Sequence, residues 1–113
     1  LISRIWVEQA TSVQVSADVP SLPYKRNAHS PGGSLGSGVY GFNWWVNGIT
    51  PKGKRKWSKA PANTYCASGA HNNKLFVIPE WKMVFVRLGT DDSIDDDTYD
   101  TFFGKLRDSF IMS

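Results

Sequence analysis

The sequence predicts an α+β fold: an antiparallel β-sheet of three to five strands with a C-terminal helix packed on one face. Three observations predict it. Short β-prone runs at 64–68, 74–78 and 82–88 are separated by turn residues. An aromatic run, Tyr40 to Asn47, precedes them. Tyr99, Phe102, Phe103, Leu106 and Phe110 then recur at i, i+3, i+4, i+7 and i+11, which is a single apolar stripe along a helix.

The elements follow in chain order. Leu1, Ile2, Ile5, Trp6 and Gln9 stand at helical spacing, so residues 1–12 read as the end of a helix. Pro20 and Pro23 interrupt regular structure, and residues 27–38, rich in Gly, Ser, Pro and Asn, form a loop. A sheet occupies 40–88. In its first part alternation places Phe42, Trp44 and Val46 on one face and Asn43, Trp45 and Asn47 on the other. Gly48 and Pro51 end that run, and a basic connection, Lys52 to Lys59, leads to Pro61. Pro79-Glu80-Trp81 is short enough to close a hairpin. Met83 to Leu88 is apolar at nearly every position, the pattern of a central strand covered on both faces. The final helix spans 93–111. Ser93 stands at its cap with Asp96 in the capping-box position, and Asp95, Asp96 and Asp97 crowd the first turn, where the helix dipole favours negative charge.

Composition narrows the function classes. The chain has 113 residues, 41% hydrophobic and 20% charged, a globular balance. No apolar run reaches the roughly 20 residues that a membrane-spanning helix needs. The net charge of +3 is segregated: Lys52, Lys54, Arg55, Lys56 and Lys59 in one segment, Asp91, Asp92, Asp95, Asp96 and Asp97 in another. Opposed patches of this kind argue against a nucleic-acid footprint. Cys66 is the sole cysteine, so no disulfide forms within the chain. Two histidines without converging carboxylates make no metal site, and no cofactor motif is present. The chain opens on Leu1 rather than Met and shows no signal core, so 1–113 reads as a single domain or as the C-terminal fragment of a larger protein.

Three segments, in this order, resemble the last part of β-lactamase-related and penicillin-binding-protein-like serine hydrolases. Tyr40-Gly41-Phe42-Asn43-Trp44-Trp45-Val46-Asn47 is similar to that family's YGxGWWxN strand. Tyr65 to Asn73 is similar to its AxGxGGQ turn, and Leu75 to Glu80 followed by Lys82 to Leu88 is similar to LFVxPExxxVVVRLG. The resemblance implies that the sheet and helix are part of a β-lactamase/transpeptidase-like fold in a periplasmic or secreted protein. It also implies acyl-transfer chemistry, in which a Ser of Ser-x-x-Lys attacks an acyl carbon. No serine of this chain has Lys three positions later, so the catalytic nucleophile is absent. The family's inner-strand Lys-Thr-Gly or His-x-Gly element falls on Ala67-Ser68-Gly69, with Ala67 in place of the cation. The resemblance implies that Ser68 hydrogen-bonds substrate, that Gly69 allows close approach to the strand edge, and that the Ala70 N–H is an oxyanion donor. His71 stands beside them, either as a turn residue tolerant of left-handed backbone or as a substrate contact.

The expected function is therefore that of the C-terminal region of a serine hydrolase of esterase, amidase or peptidase type. Its partners would be an N-terminal catalytic portion of the same protein and an acyl, ester or peptide-like substrate. Alone, the chain is expected to be inactive. The competing reading is a non-enzymatic α+β module that stacks a glycan or peptide on Trp44, Trp45, Trp57, Trp81, Tyr40 and Tyr65. An exposed sheet edge would also allow association with a second copy. Cys66 is expected to be a packing residue, and His29 a solvated loop residue.

Overall fold

The computed structural model describes residues 1–19 and 36–111. Residues 27–35 of the Gly/Ser loop, with His29, and the helix breakers Pro20 and Pro23 lie outside the described residues. Two helices, α1 (Arg4–Ala10) and α2 (Asp96–Ile111), flank four strands: β1 (Trp45–Val46), β2 (Tyr65–Ser68), β3 (Lys74–Ile78) and β4 (Met83–Arg87). The strands form one antiparallel sheet in the order β1-β2-β3-β4. The fold is α+β, with the C-terminal helix on one face.

Helix α1 opens on Ser3, whose side chain accepts a hydrogen bond from the Trp6 amide at 3.2 Å. Only Ala10 of this helix is buried. Trp6 stacks on Phe42, with ring centroids 5.7 Å apart, and the Phe42 amide donates to the Ala10 carbonyl. Gly41 makes that docking feasible, because a Cβ there would lie 2.2 Å from the Ala10 oxygen.

The aromatic run does not continue as one strand from Tyr40 to Asn47. It reverses on itself: Tyr40 bridges Trp45, the Gly41 amide donates to the Trp44 carbonyl, and Asn43 takes a positive φ of 63°. Asn is one of the few side chains that tolerate this conformation, so a residue assigned to a strand face serves as a turn residue. Trp45 edges against Tyr40, and Trp44 against Tyr65.

The two-residue period of β2, β3 and β4 directs Cys66, Phe76, Ile78, Met83 and Phe85 towards α2. There they meet Tyr99 and Phe103, with Trp57 from the preceding connection completing a core in which Trp57, Cys66, Phe76, Ile78 and Phe103 are nearly or fully inaccessible. The opposite face is open. Val84 is 59% exposed and Val86 50%, so β4 is an edge strand covered on one face only, not the doubly covered central strand its composition suggested. The run is apolar on both sides, yet only the α2 side has a covering layer among the described residues.

Helix α2 begins later than its sequence signals. Asp95 caps it, accepting from the Thr98 amide at 2.9 Å and from Thr98 Oγ1 at 2.8 Å; the amide bond in particular holds the Asp95 carboxyl below its usual range. Ser93 instead donates its amide and hydroxyl to Asp91 in the turn before the helix. The segregated charges also meet. Lys56 Nζ pairs with Asp96 at 2.8 Å and lies over the rings of Trp45 and Trp57, while Asp100 accepts from Ser58 Oγ and the Lys59 amide. Part of the basic connection is thus the cover of the core, held by the acidic side of α2.

Candidate functional site

β2 is an interior strand for only half its length. Tyr65 and Cys66 pair with β1 on one side and β3 on the other, whereas Ala67 and Ser68 pair with β3 alone. The β1-facing edge of Ala67 and Ser68 therefore has no strand beside it among the described residues. The chain then leaves the sheet through Gly69 and a tight turn, Ala70–Asn72, closed by the Asn73 amide on the Ala70 carbonyl.

Several bonds fix this turn. The Gly69 amide donates to the Asn73 carbonyl at 2.8 Å, and the Asn73 amide returns to Ala70 O at 3.2 Å. His71 and Asn72 both adopt φ of 59°, the left-handed conformation expected of turn residues. From β4, the Arg87 guanidinium donates to the carbonyls of His71 and Asn72, and Asn72 Nδ2 donates to Asp91 O. Asn73 Oδ1 accepts from the Gly89 amide. The four residues singled out in the sequence, Ser68, Gly69, Ala70 and His71, thus form one continuous, exposed strand end on a braced turn. Gly69 keeps the approach open, since the nearest atoms to a Cβ there would be 3.8 Å away. His71 points to solvent and pairs with Asp92 at 3.2 Å.

Sequence reasoning passed over Lys74. It stands directly opposite Ser68 in the β2–β3 register, and its Nζ hydrogen-bonds Ser68 Oγ at 2.5 Å. Lys74 is half-buried, and burial pushes its ammonium below the usual lysine range, opposed by the fields of Cys66 and Asp96. The signal was present in the spacing: a hairpin closed by Gly69 to Asn73 brings positions 68 and 74 face to face.

Cys66 is inaccessible on the core side of β2, and burial pushes its thiol up to about 11, with Lys74 partly countering the shift. Only thiolate reacts. Near pH 8, the native thiol should react with an aromatic disulfide reagent at least about tenfold more slowly than in denaturant, because burial both lowers the thiolate fraction and shields the sulfur from the reagent. Comparable rates would place Cys66 at the surface.

The aromatic residues do not make one platform. Trp57 is buried in the core, Trp81 packs against Phe110, and Trp44 and Trp45 contact different tyrosines. Among the described residues no group of three or more His, Cys, Asp or Glu could hold a metal ion, and no helix is long and apolar enough to cross a membrane. No protein-family model, curated protein or solved structure matches the chain.

Proposed function

We propose that the chain is the C-terminal region of a β-lactamase-like serine hydrolase of esterase, amidase or peptidase type. In this reading it supplies a strand edge and an oxyanion donor, and the nucleophile comes from a portion of the protein outside these 113 residues. The observation that carries the reading is the strand edge at Ala67 and Ser68, open beside an accessible Gly69-Ala70 turn. An extended acyl or peptide-like substrate can lie along such an edge, its carbonyl oxygen directed at the Ala70 N–H as tetrahedral charge develops. That donation is worth about 2.7–4 kcal/mol of barrier lowering in enzymes of this kind.

A second observation agrees with a covering portion elsewhere. The open sheet face carries Leu75, Val84 and Val86, and the N-terminal segment exposes Ile2 before α1 and Ile5 and Trp6 on it, so apolar surface lies in two places where a larger protein would pack against it.

The 113-residue chain is expected to show no saturable hydrolysis of p-nitrophenyl acetate. A longer form of the protein is expected to bring Ser-x-x-Lys at the start of a helix and to hydrolyse the ester with saturation. Saturable turnover by the short chain, or a longer sequence without Ser-x-x-Lys, overturns the reading.

A further inference from the structure

β4 ends the sheet on one side, and no strand lies beside its outer edge among the described residues. Such an edge offers unpaired N–H and C=O groups to another chain, and proteins usually guard it with a bulge, a proline, a charge or a very short strand. β4 has none of these guards. Met83–Arg87 runs five residues in unbroken register with β3 and without proline. Its one charged side chain, Arg87, is turned back onto the carbonyls of His71 and Asn72. The other end of the sheet differs: β1 is two residues long, and the chain before it folds over so that Tyr40 bridges Trp45.

The β4 edge is apolar in both layers. On the open face Val84 is 59% exposed, Val86 50%, and Leu88 just beyond them 79%. On the helix face Phe85 packs against Phe102, with ring centroids 4.7 Å apart, and Phe102 stays 37% exposed. A single extended peptide would pair the strand and leave Phe102 bare, whereas a partner with its own helix layer covers both. A second copy of this chain has that layer.

The charges select how two copies fit. Antiparallel pairing about a twofold axis through Phe85 aligns all five residues, with Val84 against the second copy's Val86 and Met83 against its Arg87. Lys82 then faces the second copy's Leu88. No like charges stand opposite each other in this register, whereas pairing centred on Arg87 would oppose two guanidinium groups.

We propose that two copies of this chain associate through β4, joining their four-stranded sheets into one continuous sheet with both α2 helices on the same face. The inference concerns the strand edge and is independent of the hydrolase reading, which leaves the open face for a further portion of the protein. Five paired residues and one aromatic pair per copy are a small contact beside the roughly 1,200–2,000 Å² of standard interfaces, so the dimer should be reversible and half formed at a chain concentration on the order of 50–100 μM.

Sedimentation equilibrium of the 113-residue chain, from well below to well above that concentration, should show a monomer–dimer equilibrium without larger species. Val84→Lys combined with Val86→Lys sets lysine opposite lysine twice across the axis and should weaken association by at least about tenfold. Val84→Glu combined with Val86→Lys sets opposite charges there and should hold the dimer at least as well as the unaltered chain. Both positions are at least half exposed, and circular dichroism checks that the variants are folded. Should either fail to fold, hydrogen exchange of the unaltered chain decides, since the outward-facing β4 amides should exchange more slowly as concentration rises. A chain that stays monomeric, species larger than a dimer, or β4 exchange that ignores concentration overturns the proposal. So does a dimer disrupted by both double variants, the result expected of open faces stacked on each other, or by neither.

Discussion

Asn47→Asp is expected to reduce stability by about 3–5 kcal/mol at neutral pH, enough to unfold a domain of ordinary stability. Asn47 is 2% exposed and joins β1 to the connection that carries Trp57. Its Nδ2 donates to the carbonyls of Trp57 (2.9 Å), Ala60 (3.2 Å) and Pro61 (2.9 Å), and its Oδ1 accepts from the Trp57 amide at 2.7 Å. Aspartate keeps the acceptor and loses the donors. Three carbonyl oxygens would then face a carboxylate with no proton between them, and the buried charge would keep only the Trp57 amide as its bonded donor, with the Arg55 guanidinium held at the backbone carbonyl of residue 47. Protonation restores one donor, so the new carboxyl should titrate well above its usual range in the folded state. The sign follows: a folded-state pKa above the unfolded one leaves the variant most stable below the unfolded value, with stability lost as pH rises through the folded value. Urea denaturation near pH 4 and pH 7 measures both the loss and its slope. A loss under about 1 kcal/mol at neutral pH would mean that the Asn47 bridge does not hold this connection in place.

Asn47 also shows where the sequence was legible and where it was not. It ends a family-like motif, and strand alternation places it on one face of a long strand. Its four hydrogen bonds reach residues 57 to 61, and no local pattern announces a partner ten or more positions away. The failure at Asn43 has a related origin: an aromatic, β-prone composition describes a hairpin as well as it describes one strand, and the turn depended on a single positive φ. β3 and β4, by contrast, came through with bounds within one residue, because short β-prone apolar runs and a Pro-initiated turn are local signals. The stripe from Tyr99 to Phe110 was readable for the same reason.

The cover of β4 was not legible. Met83 to Leu88 carries apolar residues on both faces, and a sequence states which residues are apolar without stating what covers them. The candidate site was legible in part. The positions from Ser68 to His71 came from motif order, and the structure places them at one accessible strand end; Lys74 emerges only when the strand register is known. Cation pairing escaped for a similar reason, since the join between Lys56 and Asp96 spans forty positions.

The open face of β4 bears directly on the second large effect, the contrast between Phe76→Ala and Val84→Ala. Phe76 is fully buried, with ring centroids at 5.1 Å from Trp57, 5.0 Å from Phe103, 5.2 Å from Tyr99 and 5.9 Å from Phe85. It is the ring through which the sheet, α2 and the Trp57 connection meet. Truncation removes its buried area and leaves a cavity that rigid neighbouring rings fill poorly, so the expected loss is about 3–5 kcal/mol. Val84, on the opposite face and 59% exposed, should lose less than about 1 kcal/mol. Denaturation midpoints of the two variants, at constant slope, measure the contrast. Equal losses would mean that the 113-residue chain already covers its second face, by a second copy or otherwise, and sedimentation would distinguish those cases. In a longer form whose additional portion packs on that face, the cost of Val84→Ala should rise to a buried-valine value of about 1.5–3 kcal/mol while that of Phe76→Ala stays the same. The rise separates a sheet built to be covered from one that merely tolerates exposed valines.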